Sequence, residues 1–116
     1  MVIGETKNIT ITFATNIVAD LTDASVTELK LHVAVGRRVL LKFKKGAGTG
    51  FDGDITVDDN LKNRASVLIT EAMSNRLVEG KLMAEVWLTQ VINGTSKTRA
   101  FDVAIDNGVV VKPIGG

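Results

Sequence analysis

A chain of 116 residues, 45% apolar and 23% charged, fits one domain, expected to span 1–116, and its composition speaks against intrinsic disorder. Fourteen Lys and Arg against 13 Asp and Glu leave a formal net charge of +1, too small a field to draw the chain to nucleic acid or to an anionic membrane, so neither is an expected partner. The absence of cysteine removes disulfides, thiol catalysis and thiolate metal sites together, and it fits folding in a reducing compartment.

The first residues, Met1 to Thr6, lack the basic and long apolar regions of a secretory signal, so export by that route is not expected. The two sequons, at Asn8 and Asn93, are accordingly read as accidental. The first strand is expected over Asn8 to Ala14, where Ile9, Ile11 and Phe13 alternate with Thr10 and Thr12. Asn16 to Asp23 loses strict alternation and reads as a connection, with Leu21 still packing inward.

Alternation returns from Ser25 to Val35, placing Leu29, Leu31 and Val33 on one face and Glu28, Lys30 and His32 on the other. Val35-Gly36-Arg37-Arg38 has the length of a hairpin connection into a strand from Val39 to Lys44. There Val39, Leu41 and Phe43 oppose Leu40, Lys42 and Lys44. Wholly apolar runs such as Val39-Leu40-Leu41 are far too short to span a bilayer.

Gly46 to Gly53 is a flexible loop by composition, followed by a short strand around Asp54 to Val57. Between Asp59 and Leu77 two readings compete. Leu61, Ala65, Leu68, Ala72 and Arg76 fall near helical spacing behind Asp59, whereas Val67-Leu68-Ile69 is a β-favouring run. The second reading, a strand over Ala65 to Ile69 and then one helical turn capped by Thr70 and ended before Gly80, is favoured.

The clearest pattern lies in the last third. Residues alternate from Lys81 to Leu88, an Asn93-Gly94 turn leads into Phe101 to Ile105, and an Asn107-Gly108 turn leads into Val109 to Lys112 before Pro113. This predicts a β-meander and an all-β antiparallel sandwich with one short helical turn.

No arrangement of acid, base and nucleophile stands out, and no catalytic residue, cofactor or metal is expected. Gly48-Thr49-Gly50-Phe51-Asp52-Gly53 matches a phosphate-binding glycine pattern, but a strand follows where a helix is required. Asp52, Asp54, Asp58 and Asp59 crowd four carboxylates together without the order of a calcium loop. His32, the single histidine, lies mid-strand among charged neighbours.

Two features suggest contact with another protein. Arg37 and Arg38, with Lys42, Lys44 and Lys45, place five cations in nine residues; the competing reading is an edge strand kept soluble by lysines. Trp87 shares its strand face with Met83, Glu85 and Thr89, opposite Leu82, Ala84, Val86 and Leu88. It is either an exposed interface anchor or a lateral residue covered by the Met73 turn. Arg37, Arg38 and Trp87 are therefore the candidate interface residues.

From Asp20 to Lys112 the order and spacing of segments resemble the small immunoglobulin-like sandwich at the N-terminus of phage baseplate upper proteins and related short virion proteins. The likeness rests on Asp20-Leu21-Thr22-Asp23-Ala24-Ser25-Val26, on Ile69-Thr70-Glu71-Ala72-Met73, and on the run from Leu77 to Val86. It extends through Phe101, Val103, Ile105, Gly108 and Val110 to Lys112-Pro113. Leu82 departs from the pattern, standing where that family often has an aromatic residue, and the longer C-terminal region of baseplate proteins is not expected here.

The resemblance implies an immunoglobulin-like fold and a non-enzymatic virion accessory protein: a capsid-decorating, head-fibre, or tail or baseplate attachment subunit. Its expected partners are other virion proteins, of the capsid, tail or baseplate. It would be a homo-oligomer or sit as repeated copies on a lattice, made in the host cytoplasm and located in the virion. The alternative is a free-standing module that binds a carbohydrate or host surface ligand, against which the shortage of aromatic residues argues.

Overall fold

The computed structural model describes residues 1–110. Strands β1 (Lys7–Thr12), β2 (Val26–Val35), β3 (Arg38–Lys44), β4 (Gly53–Asp54), β5 (Thr56–Val57) and β6 (Arg64–Ile69) precede one helical turn, α1 (Glu71–Ser74). The long strands β7 (Gly80–Ile92) and β8 (Thr95–Val110) follow it. One sheet has the order β1-β6-β5 and the other β4-β3-β2-β7-β8, with only the β3–β4 pair parallel. The fold is all-β.

Period-two patterning explains how the sheets share a core. Ile9 and Ile11 of β1 and Ala65, Val67 and Ile69 of β6 are buried in one cluster with Leu29, Leu31 and Val33 of β2 and Leu82, Ala84, Val86 and Leu88 of β7. Leu21 is fully buried in the connection, as its apolar character predicts. The inward faces of two sheets therefore stabilise each other, and the outward face of the larger sheet is left free of the core.

Turns follow the local chemistry. Gly36 supplies a positive φ of 62° in the β2–β3 hairpin, and Asn93 and Gly94, at 52° and 77°, build the β7–β8 turn. The strand-then-turn reading of residues 59–77 holds, and the longer helix does not form. The Thr70 hydroxyl accepts the Met73 N–H at 3.3 Å and caps α1. Within that turn the buried Ser74 hydroxyl accepts the Gly4 N–H at 2.9 Å and ties the N-terminal segment to the sandwich.

Three expectations need correction. Val39, read as inward, is 42% exposed, because β3 carries a bulge: Val33 pairs with Leu41 but Ala34 with Val39, so Leu40 is the extra residue and reverses the side on which Val39 emerges. Asp54 to Val57 is not one strand. Buried Ile55 divides it, with β4 joined to the larger sheet and β5 to the smaller, so this segment is a crossing between sheets.

The Asn107-Gly108 step does not reverse the chain either. Strand β8 continues beside β7 to Val110, with a register jump between the pairs Met83–Ala104 and Lys81–Val109. The last third is thus a hairpin laid on β2 rather than a meander. The predicted pairing of Val111 and Lys112, and Pro113, lie outside the described residues. No helix among the described residues is long and apolar enough to cross a membrane.

Candidate functional site

Cross-strand partners project their side chains to the same side of a sheet, so register sorts the outward residues of the larger sheet into rows. One row reads Lys42, His32, Glu85, Asp102 across β3, β2, β7 and β8. The next reads Lys44, Lys30, Trp87, Ala100. On the other side of the first lie Val39, Ala34 and Met83.

Trp87 stands near the middle of this face, half-buried, and its indole meets the His32 ring edge to face with centroids 4.4 Å apart. The Met73 turn does not cover it. Met73 instead approaches Gly53 and Phe43 on the core side, where a Cβ added to Gly53 would lie 3.5 Å from Met73 Cε. Burial, with Lys42 and Lys30 adding to it, lowers the pKa of His32, so the neutral imidazole is favoured. Among the described residues His32 makes no hydrogen bond that would align it as a general base.

The structure separates the two arginines. Arg37 lines a shallow groove of about 350 Å³ on the outer face with Ala34, Val39, Met83, Glu85 and Asp102. Arg38 pairs with Val35, whose side chain is buried, and so leaves from the opposite side of the sheet. Arg37 and Trp87 share a face; Arg38 does not belong to it.

The lysines are divided as well. Lys30 and Lys44 both approach Glu28, at 3.1 and 3.8 Å, and Lys44 also sits 5.6 Å from the centre of the Phe51 ring. Lys42 makes no side-chain ion pair among the described residues. Its backbone is fastened, since its N–H donates to Asp52 Oδ2 at 2.8 Å and its carbonyl accepts the Asp52 N–H at 2.7 Å. The edge of β3 at this point is thus covered by the glycine loop, which corrects the picture of a bare edge guarded by lysines.

The same bonds account for the acidic residues. Arg76 holds the Asp52 carboxylate; burial alone would raise its pKa, but that pairing and the Lys42 N–H bring it below the usual value. Asp54 Oδ1 accepts the Gly46 and Ile55 N–H groups. Asp58 accepts from the Leu61 and Asn60 N–H groups and from Arg64, which together lower its pKa to about 2. Among the described residues no group of three or more acidic or histidine side chains is placed to hold a metal ion.

Reading the sequence missed the importance of Lys30, Ala34 and Asp102 on this face. The outward parity of β2 and β7 was readable, but which residue of β2 stands beside which residue of β7 depends on a register between segments some fifty residues apart. No protein-family model, curated protein or solved structure matches this chain.

Proposed function

We propose that this chain is a non-enzymatic phage virion structural or accessory protein that acts by protein–protein contact, as a capsid-decorating, head-fibre, or tail or baseplate attachment subunit. The observation that carries the reading is the outer face of the larger sheet, where Trp87, Met83 and Val39 sit on rigid paired strands between a basic and an acidic margin. Large aromatic and Met side chains on a rigid surface are what a protein contact uses.

Strand order supports the immunoglobulin-like part of the reading. If β1, β2, β3, β5, β6, β7 and β8 are taken as strands B, C, C′, D, E, F and G, the sheets read B-E-D and C′-C-F-G, as in that sandwich. Many copies on a symmetric particle would let a small contact area succeed through multivalency.

The test is to purify virions from the strain that carries the gene, through a density gradient, and to measure this chain by quantitative mass spectrometry. A constant copy number per particle is expected, reduced in particles made with Trp87→Ala. Absence of the chain from purified particles rejects the virion reading.

A further inference from the structure

We propose that two copies of this chain pair through the outer face of the larger sheet, about a twofold axis that runs parallel to the strands between β2 and β7. The inference rests on the assembly reading above and names the partner that this face fits, a second copy.

Charge is segregated across the face. In the rows containing His32 and Trp87, the β3–β2 side carries Lys42, Lys44 and Lys30, whereas the β7–β8 side carries Glu85 and Asp102. Glu28 offsets part of the basic side by pairing with Lys30 and Lys44. Neither Glu85 nor Asp102 has an ion-pair partner among the described residues, and Lys42 has none for its ammonium group. Each margin lacks what the other margin supplies.

A twofold axis along the strands turns each row end for end over its own copy. Lys42 then lies over Asp102, His32 over Glu85, Lys30 over the Trp87 indole, and small Ala34 over Met83. Opposite charges meet, a cation meets an aromatic face, and a small residue receives a large one. The other twofold axis in the plane of the face, across the strands, lays β3 on β3 and β8 on β8, bringing lysines onto lysines and carboxylates onto carboxylates. Like-charge contact disfavours that arrangement, so the charge pattern selects one geometry.

Four strands at about 4.8 Å spacing and about seven residues of length give a face on the order of 400 Å² per copy. That is smaller than the roughly 800 Å² per partner of an ordinary stable interface, so the pair forms weakly and depends on concentration.

The experiment is sedimentation velocity on the full chain, from about 10 μM to about 1 mM, at low salt and at about 0.5 M salt. The wild type is expected to form a dimer whose dissociation constant rises about tenfold or more in high salt. Lys42→Glu alone and Asp102→Lys alone each place like charges across the axis twice, and each is expected to be monomeric. Mixed in equal amounts, the two variants place opposite charges across both contacts and recover a dimer, while circular dichroism checks that each is folded.

A wild type that stays monomeric throughout overturns the proposal, and so does a mixture that stays monomeric while the wild type dimerises. Virion incorporation separates this result from the assembly reading. A monomer found in particles rejects the twofold pair alone, whereas a charge-dependent dimer absent from particles supports the pair and rejects the virion role.

Discussion

His32 and Trp87 meet edge to face although neither is the other's direct cross-strand partner: His32 pairs with Glu85 and Lys30 with Trp87, so the contact is diagonal. The indole thereby shields one side of the imidazole while two lysines stand nearby, and both effects favour the neutral ring. The folded-state pKa lies below the ordinary imidazole value of 6.5, so below that pH the unfolded chain binds more protons. Stability conferred by this site is complete above the unfolded pKa and is lost as pH falls through the folded one. Trp87→Ala is expected to raise the His32 pKa toward 6.5, read by NMR titration of the ring protons. An unchanged pKa in that variant would show that the indole does not shield the ring.

Gly80 opens β7 with φ at +142°, and a Cβ at this position would fall 2.7 Å from Val35 Cγ1. Both the backbone conformation and the close approach of β2 demand glycine. Gly80→Ala is expected to lose about 1–3 kcal/mol, the usual scale for a strained backbone position. Val35→Ala removes the clashing methyl but leaves the φ strain. In a double-mutant cycle by chemical denaturation, the combined loss should be smaller than the sum of the single losses. Simple additivity would mean that the two residues do not press on one another.

What the sequence reveals here is whatever a local pattern controls. Alternation alone identifies the inward faces of β1, β2 and β7, Thr70 announces its capped turn, and Asn93-Gly94 announces its hairpin. Val39 defeats the same counting because one bulged residue shifts the period, and three consecutive apolar residues, Val39-Leu40-Leu41, were its visible trace. Asn107-Gly108 illustrates a second limit. The dipeptide permits a turn, but continued pairing of β8 with β7 decides whether the chain reverses. Of the candidate interface, the outward position of Trp87 was legible from parity, whereas the separation of Arg37 from Arg38 and the nearness of Asp102 to Glu85 required the register.

Asp58 makes a prediction at the acid end of the pH scale. Its carboxylate accepts the Leu61 and Asn60 N–H groups, each at 2.8 Å, and pairs with Arg64 at 2.7 Å, fixing the turn that enters β6. These bonds favour the ionised form and lower the pKa from 3.8 to about 2. The folded state thus binds fewer protons than the unfolded state between those values. The contribution of Asp58 is complete above pH 3.8 and is lost as pH falls through about 2. Asp58→Asn retains a side-chain carbonyl for the turn but removes the charge that Arg64 meets. Its unfolding free energy should fall below the wild type at neutral pH, and the gap should close between pH 4 and 2, about the span of the shift. Denaturant titrations of both proteins across that range measure the gap, and a constant difference at every pH would assign the cost of the substitution to packing or geometry instead of to the charge.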